Sequence, residues 1–183
     1  LVGVPMALIV RMDAPFKTIP ELIAYAKANP GKVTYASTGL GSTNQLGAEF
    51  LAAEAGGLKL THVPYRGGAP AIADVAAGNV DLFFANVSEI MGMARGGKVR
   101  VLALASSRPT ALAPELPLLT KDIPALDINN WFGLVGPAVV SSTVWSSISA
   151  FSSAPTRTTK AVRYSQNIKM MIPANPGGGW DQT

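Results

Sequence analysis

Short apolar segments alternate with helical patterns along residues 5–105, and glycine-rich turns join each segment to the next. Pro5 to Arg11 is apolar and partly β-branched, which is typical of a buried strand. Thr18-Ile-Pro-Glu21 is a capping box with proline in its first turn, and it predicts a helix to about Asn29. Strands that alternate with helices of about ten residues are typical of α/β proteins. The sequence therefore predicts a mostly parallel sheet flanked by helices.

The remaining elements follow from the same alternation. Pro109 to Pro124 is irregular, with room for one short helix, and Trp131 to Val135 predicts a strand that leaves the unit. Trp131, Phe132, Met91 and Met93 are interpreted as core residues or as the wall of a cleft. Further strands are predicted at 32–36, 58–63, 80–84 and 99–105, and further helices at 43–55, 70–77 and 88–95.

Composition excludes several classes of protein. Of the 183 residues, 48% are hydrophobic and 14% are charged, so the chain can form a core and is not disordered throughout. Because there is no cysteine, a disulfide framework, a thiolate zinc site and a cysteine nucleophile are excluded. A single histidine, His62, excludes a multi-histidine metal centre, and no apolar run reaches the ~18 residues that span a bilayer. We expect neither a metal nor a cofactor.

The net charge of +4 lies mostly in the last third of the chain. Residues 1–127 carry 11 basic and 10 acidic side chains, whereas residues 128–183 carry 4 basic and 1 acidic. A nucleic-acid surface needs lysine and arginine clustered on one face with aromatic residues between them, and the sequence has no such cluster. We therefore expect no nucleic-acid partner.

Three loops of one type are predicted to join the carboxyl end of a strand to the N-terminus of a helix: Ser37–Thr43, Pro64–Ala69 and Pro173–Gly179. The first turn of a helix has unpaired N–H groups and the positive end of the helix dipole, so it favours an anion. Glycine lets the backbone approach a ligand closely. Hydroxyl donors are added by Ser37, Thr38, Ser42 and Thr43. These loops predict an anion-binding edge of the sheet.

Two charged residues in these loops have alternative interpretations. Arg66 can hold a carboxylate through two hydrogen bonds, or it is a solvated loop residue. Asp181 is expected to cap the following helix and to order its loop, without touching an anion.

Nucleotide-binding and catalytic motifs do not assemble. Gly39-Leu-Gly41 is not the dinucleotide fingerprint, because Asn44 occupies the position of the third glycine. No Gly-Lys-Ser/Thr follows any loop, and there is no Gly-x-Ser-x-Gly elbow. No serine is marked out as a nucleophile for His62, which we expect to be a packed or capping histidine. We predict that the protein binds an anion and is not an enzyme. An enzyme fragment that binds phosphate or nucleotide is the alternative, and an orphan sensor or interaction module is the third.

The composition changes after residue 138. In Val139–Ser165, 12 of 27 residues are serine or threonine, with no acid and no glycine. This pattern predicts an extended connection, a linker or misassigned sequence over 139–166. Asn167 to Pro173 predicts another strand, and Gly177–Gly179 a glycine loop after it.

Four segments follow one another along the chain: Val33-Thr-Tyr-Ala-Ser-Thr-Gly-Leu-Gly-Ser-Thr-Asn44, His62-Val-Pro-Tyr-Arg-Gly-Gly-Ala-Pro-Ala71, Gly78-Asn-Val-Asp81 and Trp131-Phe-Gly-Leu134. Together they resemble the Bug family, the extracytoplasmic solute receptors of tripartite tricarboxylate transporters. Residues 1–138 resemble the second domain of such a receptor, and residues 167–183 resemble the first strand and loop of its first domain. This order departs from the family. A permutation, a partial sequence and a reading-frame error all account for it, and the sequence leaves all three open.

The resemblance implies a mixed α/β sheet flanked by helices, like that of periplasmic binding proteins, in a two-lobe architecture whose first lobe is largely missing. It implies an exported, periplasmic protein, and we expect no signal peptide within this chain. The implied partners are a small carboxylate, the membrane subunits of the transporter and the missing first-lobe polypeptide. Ala85 departs from many relatives, which carry an acid before the asparagine matched by Asn86. The ligand-binding residues implied by the resemblance are Thr38, Gly41, Ser42, Tyr65, Gly67, Gly68, Ala69, Asn86, Gly177, Gly178 and Gly179.

Overall fold

The computed structural model describes residues 2–132, and the following account concerns these residues. Within them, residues 4–130 belong to one compact unit. The predicted connection at 139–166, the predicted strand and loop at 167–183, and with them Gly177, Gly178, Gly179 and Asp181, lie outside the described residues. In the described part, no helix is long and apolar enough to cross a membrane.

Strands and helices alternate as the sequence predicts. Each of the first four strands is followed by a helix, and the fifth and sixth strands come after the fourth helix. The strands are β1 (Val2–Arg11), β2 (Thr34–Ser37), β3 (Thr61–Pro64), β4 (Leu82–Asn86), β5 (Val99–Leu104) and β6 (Asn129–Phe132). The helices are α1 (Ile19–Ala28), α2 (Thr43–Glu54), α3 (Gly68–Ala77) and α4 (Val87–Arg95), with one 3₁₀ turn at Leu119–Lys121.

The strand order is β3-β2-β4-β1-β5, and β6 also pairs with β1. β2 is parallel to both of its neighbours, whereas β1 is antiparallel to β4 and to β5. Strands β2 to β5 therefore all run in one direction, and β1 runs against them. The mixed α/β sheet is confirmed; four of these five strands run in one direction, and β1 is the antiparallel strand. The apolar pattern of β1 is the same for a parallel and for an antiparallel strand. The direction of β1 therefore could not be predicted from this pattern.

The sheet separates two apolar layers because successive side chains of a strand point to opposite faces. On β1, Leu8 packs with residues of α1 and α2, and Ile9 packs with residues of α3 and α4. Phe84 and Phe83 of β4 divide between the two layers in the same way. Helices α1 and α2 thus cover one face, and helices α3 and α4 cover the other.

The helix starts follow the sequence closely. Thr18 caps α1, with its Oγ1 accepting from the Glu21 N–H at 3.4 Å. The Glu21 carboxylate accepts from the Lys17 N–H at 2.7 Å, one residue before the usual position in a capping box. Helix α3 begins at Gly68, two residues earlier than predicted. Pro70 therefore lies within its first turn. The N–H that proline lacks removes no helical hydrogen bond there.

Asp81 fixes the edge of the sheet where β2 and β4 begin. Its carboxylate accepts from Arg11 Nε at 2.9 Å, from the Thr34 N–H at 2.8 Å and from Thr34 Oγ1 at 2.9 Å. The residue therefore joins the end of β1 to the start of β2. Desolvation lowers the pKa of Arg11, but Asp81 and Asp13 outweigh it and leave the pKa above its usual value.

Candidate ligand-binding site

Three parallel strands end at one edge of the sheet, and each leads directly into a helix. Ser37, the last residue of β2, lies opposite Pro64, the last residue of β3. On the other side of β2, the register with β4 pairs Ala36 with Phe83, so β4 continues to Asn86 beyond that level. The N-termini of α2, α3 and α4 therefore lie at the same edge. The sequence-predicted loops at 37–43 and 64–69 do come together there.

The loop before α2 is held by its own side chains. Ser42 is the N-cap of α2, with Oγ accepting from the Gln45 N–H at 3.4 Å and donating to the Gly39 carbonyl at 2.7 Å. The Gly41 N–H donates to Gln45 Oε1 at 2.7 Å. Gly39 and Gly41 have φ values of 132° and 73°, where a side chain would be strained. Gln45, which is not among the residues predicted from the sequence, thus accepts the hydrogen bond of the Gly41 N–H, one of the predicted donors.

A buried asparagine links this loop to β4. Asn44 is 8% exposed, and its Nδ2 donates to the Phe84 carbonyl at 2.5 Å. Its Oδ1 accepts from Thr38 Oγ1 at 2.7 Å. The Thr38 hydroxyl is therefore oriented by the protein, whereas Thr43, the first residue of α2, is half-buried and makes no side-chain hydrogen bond among residues 2–132. Asn44 was read as a departure from a glycine motif, and its structural role was missed.

Ser37 and His62 form a hydrogen-bonded pair inside the fold. Ser37 Oγ lies 2.6 Å from His62 Nε2 and accepts from the Gly39 N–H at 3.1 Å. The His62 ring stacks on Tyr35, with 5.0 Å between ring centroids. This confirms His62 as a packed histidine. Ser37 is 0% exposed, and no carboxylate bonds to His62 within residues 2–132, so the pair lacks the access and the acid that a nucleophilic serine needs.

The loop before α3 is attached to the loop before α2. The Tyr65 N–H donates to the Ser37 carbonyl at 2.8 Å, and the Tyr65 hydroxyl donates to Asp74 Oδ2 at 2.7 Å. Desolvation raises the pKa of Tyr65 to about 12, and the hydrogen bond to Asp74 and its charge add to the effect. Arg66 is exposed and makes no ion pair with the other described residues. Its two interpretations both stay open.

Gly67 turns the chain into α3 in a conformation that glycine favours. Its φ is 126°, and nothing lies within 4 Å of the position that a Cβ would take. Since glycine offers no side chain to cap the helix, the first N–H groups of α3, from Gly68 and Ala69, are left without a side-chain cap from the N-cap residue.

Asn86 and Glu89 form the third part of the edge. Asn86 is 9% exposed; its Nδ2 donates to Glu89 Oε1 at 2.7 Å, and its Oδ1 accepts from Asn130 Nδ2 at 3.1 Å. Ala85 is 0% exposed and packs in the apolar layer on the α3 side. Glu89 was not predicted as a site residue, because an acid in the first turn of a helix is common and carries no signal of a ligand.

An open pocket of about 430 Å³ adjoins Glu89 and is lined by Gly68, Ala69, Ile72, Glu89 and Met93. The interpretation of Met93 as a cleft wall fits this position. Trp131 and Phe132 are 69% and 56% exposed, which contradicts the core alternative for these two residues and leaves that of a cleft wall. Within residues 2–132, no three potential metal-binding side chains lie together. The edge therefore offers the N–H groups of helix starts, the hydroxyl of Thr43 and one carboxylate, whereas the hydroxyls of Thr38, Ser42 and Tyr65 donate to protein acceptors.

Comparison with known proteins bears on the family and the fold. Residues 1–171 match the family described as "Tripartite tricarboxylate transporter family receptor". A Cupriavidus necator protein, "UPF0065 protein in gbd 5'region", is 36% identical over 137 residues, which cover 75% of this chain and 41% of that protein. The structure "R. palustris Rpa4515 with adipate" is similar with a TM-score of 0.76 and 28% identity, over 82% of this chain and 50% of that one. The structure of the periplasmic binding protein BugD gives a TM-score of 0.71 and 30% identity, over 78% and 48%.

The fold is thus that of one part of a periplasmic binding protein. The chain belongs to the family of tripartite tricarboxylate transporter receptors. The resemblance to Bug proteins is confirmed, and the family is one of receptors and not of enzymes. The chain spans 40% of one curated relative and 41% of another.

Proposed function

We propose that this chain forms the ligand-binding part of a periplasmic receptor that captures a small carboxylate for a tripartite tricarboxylate transporter. The observation that carries the proposal is the pairing of Ser37 with Pro64 at the ends of β2 and β3, which brings the N-termini of α2 and α3 to one edge. The family membership and the similarity to an adipate complex support a carboxylate as the ligand. The membrane subunits of the transporter are the partners.

The first N–H groups of α2 are the main contact for a carboxylate. The first turn of this helix contains no acid, so its dipole is uncompensated by its own residues. Thr43 adds a hydroxyl donor at this N-terminus, and Ser42 and Thr38 orient the loop through their hydrogen bonds to Gly39 and Asn44. Ser37, which is fully buried, positions the loop and does not contact the ligand.

The second loop contributes Gly67, Gly68 and Ala69, with Arg66 available at the exposed side, and Tyr65 holds this loop through its hydrogen bonds to Ser37 and Asp74. The remaining members of the predicted set, Gly41 and Asn86, orient their neighbours through the hydrogen bonds to Gln45 and Glu89. In this proposal the first lobe of the receptor supplies the other side of the site. Gly177, Gly178 and Gly179 hold another carboxylate from that side, and Asp181 orders their loop.

Thermal unfolding and calorimetry with succinate, adipate, malate, citrate and ATP test this function. The proposal predicts that at least one small carboxylate raises the melting temperature and binds with a measurable Kd, whereas ATP does not. Stabilisation by ATP alone, or turnover of any of the acids, would support the enzyme-fragment alternative and overturn the proposal.

A pair of N-cap variants locates the binding. Ser42 caps α2 at the proposed site, and Thr18 caps α1 near Arg11, at the opposite edge. Both S42A and T18A are expected to lower the free energy of unfolding by about 1 kcal/mol. Only S42A is expected to weaken carboxylate binding, and equal weakening by T18A would contradict the assignment to the α2 edge.

A further inference from the structure

Two helices of this chain begin with a capping box of the same geometry. In α1, Glu21 follows the N-cap by three residues and accepts from the Lys17 N–H at 2.7 Å. In α2, Gln45 follows the N-cap Ser42 by three residues, and its Oε1 accepts from the Gly41 N–H at 2.7 Å. Each side chain thus bonds to the N–H of the residue before the N-cap. The two boxes differ in charge, because the α1 box ends in a carboxylate and the α2 box in a neutral amide.

The neutral box lies at the proposed ligand-binding edge, and the charged box lies at the opposite edge. An acid in the first turn of a helix is stabilising, since its charge offsets the positive end of the helix dipole. Glu21 supplies that charge in α1, whereas the first turn of α2 contains no acid. The amide of Gln45 therefore completes the hydrogen bonds of the box and leaves the positive end of α2 uncompensated.

Two main-chain donors remain free beside Gln45. The N–H groups of Thr43 and Asn44, at the start of α2, make no hydrogen bond among residues 2–132. The N–H of Gln45 itself bonds to Ser42 Oγ at 3.4 Å, and its side chain takes the Gly41 N–H. A carboxylate at this helix start therefore meets the two free N–H groups. A charge on the side chain of residue 45 would lie in the same helical turn and repel it.

We propose that the neutral amide of Gln45 determines the affinity of this site for a carboxylate, because it caps α2 without adding a negative charge where the ligand binds. This inference rests on the proposed carboxylate-binding function. Gln45 acts as a positioning residue through the Gly41 N–H. Stability and binding thus have opposite requirements at this position, since a carboxylate would strengthen the cap and weaken the binding of an anion.

The test compares Q45E and Q45A with the unchanged protein. Calorimetry uses whichever of succinate, adipate, malate and citrate binds the unchanged protein most tightly, and thermal unfolding gives the Tm of each variant. Q45E keeps an acceptor for the Gly41 N–H and adds a charge at the helix start, so its Tm is expected to equal or exceed that of the unchanged protein. Its affinity is expected to fall about tenfold or more, through repulsion between like charges.

Q45A removes the acceptor without adding a charge. Its Tm is expected to fall below that of the unchanged protein, because the capping box is lost. Its affinity is expected to fall about threefold or less, since the two free N–H groups stay uncompensated. Stability and affinity then rank Q45E and Q45A in opposite orders, whereas a purely structural role would rank them in the same order.

E21Q is the matched control, because it makes the reverse change in the equivalent box at the opposite edge. It is expected to lower the Tm slightly and to leave the affinity unchanged. Binding by Q45E as tight as that of the unchanged protein, or binding by Q45A weaker than that of Q45E, would overturn the role of Gln45 while leaving carboxylate binding intact. Binding of none of the four acids by the unchanged protein contradicts the proposed function itself.

Discussion

Asn44 on α2 donates a hydrogen bond to the main-chain carbonyl of Phe84 on β4, and this bond crosses from a helix start to a neighbouring strand end. The same side chain accepts the hydroxyl of Thr38. One buried residue therefore joins the loop that is proposed to bind the carboxylate to the strand that leads to Asn86 and Glu89. The edge acts as a connected set of polar groups because of this link.

Replacing Asn44 with alanine is expected to lower the free energy of unfolding by about 1–3 kcal/mol, since the Phe84 carbonyl is left buried without its donor. Urea unfolding measures the loss. Asn79 gives the control, because its Nδ2 bonds to Asp74 on the exposed surface. N79A is expected to cost less than about 0.5 kcal/mol. A loss for N44A no greater than that of N79A would show that the bond to Phe84 is not a structural link.

Two glycines provide a test of backbone strain against helix propensity. Gly67 and Gly92 both have open space where a Cβ would be, but Gly67 has a φ of 126° and Gly92 lies within α4. We expect G67A to destabilise the fold by about 1–2 kcal/mol through strain alone. G92A is expected to stabilise it by up to about 1 kcal/mol. Chemical denaturation of both variants decides the matter, and similar values for the two would refute the argument from φ.

The raised pKa of Tyr65 makes stability depend on alkaline pH. The pKa is 10.0 in the ordinary state and about 12 in the fold, so the folded protein holds this proton more tightly than the unfolded chain. The contribution of Tyr65 to the free energy of unfolding is fully present below pH 10 and decreases as pH rises towards 12. Urea unfolding between pH 8 and about 11.5 is expected to show a smaller decline for Y65F than for the unchanged protein. An identical decline in both would mean that the pKa of Tyr65 is not raised in the fold.

Salt is expected to weaken carboxylate binding modestly, because residues 1–127 carry 11 basic and 10 acidic side chains and offer little net positive field. Attraction then depends on oriented N–H groups at the start of α2. Between about 50 and 200 mM salt, the Kd is expected to rise less than about threefold, whereas a protein that neutralises many phosphates loses about a thousandfold or more. Calorimetry at several salt concentrations measures the slope, and a tenfold rise would contradict the account.

The elements and their order could be predicted from the sequence because they depend on local patterns. The Thr18 cap, the Gly78 helix end and the glycine turns act within a few residues, and the structure has each of them. The direction of β1 depends on which distant strands it pairs with, Phe84 and Ala103 lying on either side of Leu8. No local pattern encodes that choice.

Part of the candidate site could also be predicted. The glycine loops after β2 and β3 were expected to lie together, because the carboxyl ends of parallel strands meet at one edge of a sheet. Glu89 and Asn44 were missed as contributors, since each acts through a partner far along the chain, on Gly68 or Phe84. The sequence predicts Ser37 as a donor for the ligand, but the pairing of β2 with β3 buries it against His62. No local sequence pattern shows this pairing.

The central claim is that a small carboxylate binds where α2 and α3 begin. Titration of the ¹⁵N-labelled protein with malate, followed by the amide shifts in NMR spectra, tests it most directly. The account predicts the largest shifts at the N–H groups of Thr43, Gly68 and their neighbours, with little change around Asp81 at the opposite edge of the sheet. Shifts centred on Asp81 and Thr34, with none at the starts of α2 and α3, would contradict it.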